Sequence, residues 1–225
     1  MNDVVSGVRP VIRVVVVDDE ELVREGLVAI VDSDPGITVV GTSADGAGGV
    51  ETVLRTDPDV VLMDVRMPGM DGLEATRRVL QAHGRARVLV LTTVELDEVV
   101  YGALRAGASG FLLKSVPREQ LWSGIRAVAG GDALLAPSIT RRLIESYLDR
   151  ARVGDGSALA LTGRQTDVVR LVARGLTNRE IAGELHLAET TVKGYVSDVL
   201  NRHGLRDRVQ LVVLAYESGL VRPGP

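Results

Sequence analysis

The chain has no cysteine, which removes disulfides, thiolate nucleophiles and cysteine-based metal sites. Its three histidines are scattered, a poor basis for a histidine-rich metal site. Only two of the 26 basic residues are lysines, Lys114 and Lys193. That scarcity fits a GC-rich genome and makes each lysine worth examining. No apolar run approaches the length needed to cross a bilayer, and the opening MNDVVSGVRPVI lacks a charged segment followed by an apolar one. A cytoplasmic location without membrane contact is therefore expected.

What is present is a globular composition, 45% apolar and 25% charged over 225 residues, enough for one large domain or two small ones. The net charge of −4 is unevenly spread. Residues 1–156 carry 17 basic against 23 acidic side chains, and residues 157–225 carry 9 against 7. An acidic front and a mildly basic rear suit a regulatory unit joined to an anion-binding one.

The front alternates short β-branched runs with helix-length amphipathic stretches. Runs at Val11–Val17, Val39–Thr42, Val60–Met63, Val88–Leu91 and Gly110–Leu113 have the make-up of buried parallel strands. Helices are expected over Glu20–Val31, Gly46–Thr56, Gly72–His83, Leu96–Ala106 and Arg118–Ala129, with the Gly48-Gly49 pair weakening the second. Five β-α units in a row predict an α/β fold, a doubly wound five-stranded parallel sheet. Pro137–Arg150 reads as a linker helix, and 152–157 as a Gly/Asp/Ser linker. The rear is all-α: helices over Arg164–Ala173 and Asn178–Leu185, capped by Thr162 and Thr177, then Glu189–His203 and Asp207–Ser218.

In a parallel sheet of this kind ligands meet the carboxyl ends of the strands. Those ends carry Asp18-Asp19, Asp64, Thr92-Thr93 and Lys114. Crowded carboxylates stay ionised only when a cation neutralises them, and an all-oxygen site with few protein ligands suits Mg²⁺. A carboxylate in such a site can take a phosphoryl group, with the lysine and the threonine hydroxyl meeting its oxygens. No GxxxxGK[ST] segment is present, so a nucleoside-triphosphate site has little support. Singly, an Asp-Asp or Asp-Gly pair is more often a cap or turn, as Asp71-Gly72 is expected to be; the joint occurrence at four strand ends is what points to chemistry.

The segments ValValValAspAspGlu, ValLeuMetAspValArgMetProGlyMetAspGly (61–72), LeuThrThr and GlyAlaSerGlyPheLeuLeuLys (107–114) resemble the signature segments of response-regulator receiver domains, of flavodoxin-like fold. The resemblance covers about residues 11–130. It implies that Asp64 accepts the phosphoryl group and that Asp19 and Asp64 ligate Mg²⁺ with the Arg66 carbonyl, Asp18 acting mainly through metal-bound water. Thr92 and Lys114 would contact the phosphoryl group, and Phe111 would be the aromatic switch residue. Lys114 is followed by Ser115-Val116-Pro117, not by the Lys-Pro pair of many receivers.

In the rear, Val192, Val196, Val199 and Leu200 share one helix face, while Thr190, Lys193, Gly194, Ser197 and Asn201 share the other. The second face is polar and uncrowded, as a major-groove helix requires. LeuThrGlyArgGln, GlyLeuThrAsnArgGluIleAla, AlaGluThrThrValLys and LeuArgAspArgValGln resemble LuxR-type helix-turn-helix domains over about residues 157–222. The whole chain thus resembles a NarL/FixJ-family regulator, with 131–156 as linker. The resemblance places Lys193, Gly194 and Ser197 near base edges or backbone and Thr190 and Thr191 at phosphates. It makes Asp207–Ser218 a dimerisation helix with Val209, Val212, Val213 and Tyr216 as contacts, unless these are plain core residues. The partners it implies are a sensor histidine kinase, double-stranded promoter DNA, a second copy on activation and, less directly, RNA polymerase. No enzyme activity is expected beyond self-phosphorylation and slow self-dephosphorylation. The alternatives are a regulator that binds DNA independently of phosphorylation, a Mg²⁺-dependent phosphatase or phosphotransferase, and a ligand-sensing LuxR-type receptor.

Overall fold

A computed structural model of the chain describes residues 11–93, 97–131 and 159–221. The expected linker helix at 137–150 and the linker at 152–157 lie outside the described residues.

Strands β1 (Ile12–Val17), β2 (Ile37–Ser43), β3 (Val60–Asp64), β4 (Arg87–Thr92) and β5 (Gly110–Leu113) form one sheet in the order β2-β1-β3-β4-β5, parallel at every pairing. β2 starts earlier than its apolar run because Ile37 pairs with Ile12. Helices α1 (Glu21–Asp32), α2 (Gly46–Thr56), α3 (Gly72–Ala82), α4 (Asp97–Ala106) and α5 (Arg118–Ala129) cover the two faces. Val14, Val16, Leu62, Leu89 and Leu91 pack toward α1 and α5, and Val15, Val17, Met63, Val88 and Val90 toward α2, α3 and α4. Strand alternation sends every second side chain to each layer, so the runs are apolar throughout.

The Gly48-Gly49 pair does not shorten α2, which has its full expected length. A Cβ on Gly49 would stand 2.9 Å from a Val17 methyl, and one on Gly48 would stand 2.6 Å from Ser43 Oγ. These glycines let the helix approach the sheet, and the packing gained there offsets their poor helix propensity.

The rear unit comprises α6 (Gly163–Ala173), α7 (Asn178–Leu185), α8 (Glu189–Arg202) and α9 (Arg208–Glu217). Thr162 with Gln165 and Thr177 with Glu180 form reciprocal capping boxes at the starts of α6 and α7. Val168, Val172, Ile181, Val192, Val199 and Leu211 are the centre of its core.

The two units meet where α9 lies against α4. Val209 is fully buried and Val213 half-buried against the receiver-side core of Leu80, Ala103 and Leu104.

Candidate functional site

The strand order reverses between β1 and β3, and the crevice at that switch point is where such sheets take ligands. β1 delivers Asp18 there and β3 delivers Asp64 as its last residue. The local fold that holds Asp64 depends on Gly72. A Cβ at Gly72 would fall 1.8 Å from the Asp64 carbonyl oxygen, and the Gly72 N–H donates to the Val65 carbonyl at 2.9 Å. Asp71 caps α3 through the Glu74 N–H at 2.8 Å, so the Asp71-Gly72 pair is the cap and turn that its sequence suggests.

One carboxylate oxygen from each of Asp18, Asp19 and Asp64 lies within 4.8 Å of the other two. Asp18 and Asp64 are buried, whereas Asp19 sits at the solvent edge. Lys114, just after β5, places Nζ 2.7 Å from Asp18 Oδ2, 3.2 Å from Asp64 Oδ2 and 3.9 Å from Glu20 Oε1. Asp64 Oδ1 accepts the Val65 N–H at 2.8 Å, leaving Oδ2 toward the lysine. Burial pushes the Asp64 carboxyl above the ordinary carboxylate range; Lys114 partly opposes this and the Asp18 charge adds to it. Burial pulls Lys114 down, but Asp18 and Asp64 outweigh it and hold the ammonium above its usual value.

Thr92 closes β4 and is buried at the same edge. Phe111 in β5 is buried in the core layer shared with α3 and α4. Arg66 is exposed beside Asp64. Two residues that sequence reasoning passed over complete the rim. Arg24 donates to the Asp18 carbonyl at 2.7 Å, tying α1 to the pocket, and Glu20 adds a fourth carboxylate near Lys114. Glu20 was readable as the third acid of Asp18-Asp19-Glu20; Arg24, half-buried in the first turn of α1, left no such signal. Three converging carboxylate oxygens form a donor set that suits a hard divalent cation such as Mg²⁺.

In the rear unit Thr190, Thr191, Lys193, Gly194, Ser197 and Asn201 are all exposed on α8, while Val192, Val196 and Val199 are buried behind them. Arg208 braces the turn before α7 by donating to Asn178 Oδ1 at 2.8 Å and to the Leu176 carbonyl. Arg202 ties the end of α8 to the Ala160 carbonyl at 2.7 Å.

The four α9 residues divide between two faces. Val212 and Tyr216 pack into the rear unit's own core, with the Tyr216 hydroxyl donating to the Ala173 carbonyl at 3.0 Å. Val209 and Val213 face the receiver. None of the four is exposed.

Known protein families match the front and the rear of the chain separately. Residues 14–126 match the response regulator receiver domain family, and residues 159–215 match the luxR family of bacterial regulatory proteins. The chain is 37% identical to the transcriptional regulatory protein LiaR of Bacillus subtilis, over 93% of this chain and 99% of that protein. It is 33% identical to the nitrate/nitrite response regulator NarL of Escherichia coli, over 91% and 95% respectively. Among solved structures it is similar to ChrA, the response regulator of a haem-sensing two-component system, with 34% identity, 94% and 99% coverage and a TM-score of 0.51. A LuxR-family response regulator from Aurantimonas aligns with a TM-score of 0.57 and 35% identity, over 61% of this chain and 99% of that one.

Proposed function

The chain belongs to the two-component response regulators that join a receiver to a LuxR-type DNA-binding domain, and from that premise we propose that phosphorylation of Asp64 controls transcription by switching its DNA binding. The observation that carries the reading is the convergence of Asp18, Asp19, Asp64 and Lys114 at one strand-end pocket.

The phosphodonor is a histidine kinase. An Asp64 carboxylate oxygen attacks phosphorus, the P–O bond forms, and the P–N bond to the donor imidazole breaks with its electron pair staying on nitrogen. Asp64 Oδ2 is the acceptor, because Oδ1 is engaged by the Val65 N–H. Lys114 trades its contact with Asp64 for one with a phosphoryl oxygen, and the Thr92 hydroxyl serves a second. Asp18, Asp19, Asp64 and the Arg66 carbonyl would hold Mg²⁺, which supplies charge neutralisation for the incoming phosphoryl oxygens. Movement of Thr92 and Phe111 then reaches α4, the helix on which α9 rests.

The output is pairing of two copies and engagement of duplex DNA in the cytoplasm by the exposed face of α8, followed by contact with RNA polymerase where transcription is raised. The protein turns over no external substrate. An aspartyl-phosphate phosphatase would profit from a second acid two residues after the nucleophile, where this chain has Arg66.

The test is incubation of the full chain with a small phosphodonor and Mg²⁺, followed by intact mass and peptide mapping. One hydroxylamine-labile phosphoryl group on Asp64, absent from Asp64→Asn, is the expected outcome. Phosphorylation that persists in Asp64→Asn overturns the assignment.

A further inference from the structure

A cavity of about 350 Å³ lies where the ends of α3 and α4 meet the turn from α8 to α9. Its polar lining is Arg77 and Gln81 of α3, Arg105 of α4, Arg206 of the turn and Gln210 of α9. No carboxylate lines it among the described residues. Two other cavities of comparable size balance their arginines. Asp57 and Asp59 accompany Arg13, Arg85 and Arg87 in one, and Asp167 and Glu184 accompany Arg170 and Arg174 in the other.

The acids that flank this cavity in sequence are engaged elsewhere. Glu74 divides its two oxygens between Arg77 and Arg78, each at 2.9 Å in an exposed pair, and such pairs hold an arginine only weakly. Asp207 caps α9 through Oδ1, which accepts the Val209 and Gln210 N–H groups at 3.0 and 3.1 Å, and its Oδ2 stands 3.6 Å from Arg87. Arg87 also donates to the Arg206 carbonyl at 2.7 Å. Arg206 itself donates to the Leu80 carbonyl at 2.9 Å, a neutral acceptor. The C-terminal ends of α3 and α4 oppose an anion with about half a charge each. Their carbonyls at Leu80 and Leu104 are covered by Arg206 and by the Gln210 amide at 3.3 Å, and three full guanidinium charges outweigh what remains. Gly107 and Gly204, at φ of 100° and 63°, turn the chain after α4 and α8 without side chains, which keeps the space open.

We propose that this cavity binds a small molecule carrying phosphate groups, held between the receiver and the rear unit by Arg77, Arg105 and Arg206. Guanidinium forks match phosphate oxygens two at a time, and the Gln81 amide orients the remainder of the molecule. The volume falls at the small end of ligand pockets, so the occupant is a compact phosphorylated molecule and not a polymer. The site is separate from Asp64. It has no acid, needs no metal and takes phosphate as an ion, with no bond made or broken. Because the arginines come from both units, the molecule bridges them, and neither unit alone offers the full set.

Inorganic pyrophosphate is the probe, titrated calorimetrically into the full chain in Mg²⁺-free buffer of fixed ionic strength. Without metal the acidic pocket at Asp64 repels the anion, and fixed salt holds screening constant. Wild type should bind one pyrophosphate with a Kd of about 1 mM or tighter, the affinity that two or three charge-assisted contacts supply. Arg77→Gln in the receiver and Arg206→Gln in the rear unit should each weaken binding roughly tenfold, since each removes one such contact. Both side chains are exposed, and thermal melts matching wild type should show that the variants fold. Lys193→Gln, on the exposed face of α8, should bind as wild type does. No saturable binding at tenfold the expected Kd would overturn the proposal. Weakening in Lys193→Gln with both arginine variants unchanged would place the anion on α8 and overturn it equally. Weakening in only one arginine variant would put the anion on a single unit and refute the bridge.

Discussion

Replacing Lys114 with methionine keeps most of the side-chain volume and deletes the only cation found within ion-pair distance of the acidic pocket among the described residues. In the intact protein that ammonium stands 2.7 Å from Asp18 and 3.2 Å from Asp64. Without it, carboxylate oxygens from Asp18, Asp19 and Asp64 face one another within 4.8 Å. At an effective dielectric of 20, each such pair repels by roughly 3.5 kcal/mol. The chain can escape by taking up a proton, which at neutral pH costs a carboxylate roughly 4 kcal/mol. Both figures fall within about 3–5 kcal/mol, the loss seen when one partner of a buried ion pair is removed. The chain's one tryptophan, Trp122, lies in α5 and donates to the Ile30 carbonyl at 2.9 Å. Its fluorescence during urea unfolding therefore reports on the receiver alone. In EDTA, Lys114→Met should unfold at much lower urea than wild type. Added Mg²⁺ should narrow the gap, because the cation then replaces the missing charge. A loss under about 1 kcal/mol, the scale of an exposed ion pair, with equal stabilisation of both proteins by Mg²⁺, would refute the reasoning.

Three further outcomes follow from the same structure. Gly194→Ala should raise the melting temperature of the rear unit, since nothing lies within 4 Å of a Cβ there and alanine favours a helix interior by about 1 kcal/mol; the added methyl on the reading face should also change which DNA fragments are selected. Gly72→Ala should cost the receiver about 3 kcal/mol or more, because the methyl would fall on the Asp64 carbonyl, and it should slow phosphorylation measured by intact mass. Burial pushes the Tyr216 hydroxyl up to about 12, with Arg174 opposing. A group whose pKa is raised on folding contributes its full stability below its unfolded pKa and loses it as pH climbs through the folded one. The rear unit should therefore weaken between about pH 10 and 12, by at most about 2–3 kcal/mol, as followed by helical circular dichroism. Tyr216→Phe should remove that alkaline loss; an unchanged profile would refute the assignment.

The sheet and the pocket were legible because both follow from local rules. The strand runs are apolar, all but Gly110–Leu113 carry β-branched residues, and Asp18, Asp64, Thr92 and Lys114 sit at their carboxyl ends. Thr162 and Thr177 likewise marked the helix starts that the capping boxes now explain. Gly48-Gly49 misled as a weak point, because propensity cannot see the Val17 methyls that require a glycine. The α9 residues were hard for a related reason. Val209, Val212, Val213 and Tyr216 lie at i, i+3, i+4 and i+7, so periodicity groups them on one broad stripe. Only the packing separates the pair facing the rear core from the pair facing the receiver. Arg87, Arg206 and Asp207 left no pattern to read, since their contact spans more than a hundred residues and depends on how two units meet.

The most direct test of the central claim is selection of genomic DNA fragments by the full chain at fixed salt, with and without Mg²⁺ and beryllofluoride, in wild type and Asp64→Asn. Salt is held constant because phosphate contacts make affinity steeply salt-dependent. The account predicts specific fragments enriched by the mimic in wild type and no response to the mimic in Asp64→Asn. Equal enrichment in all four conditions would contradict it, since DNA binding would then be independent of the phosphorylation pocket.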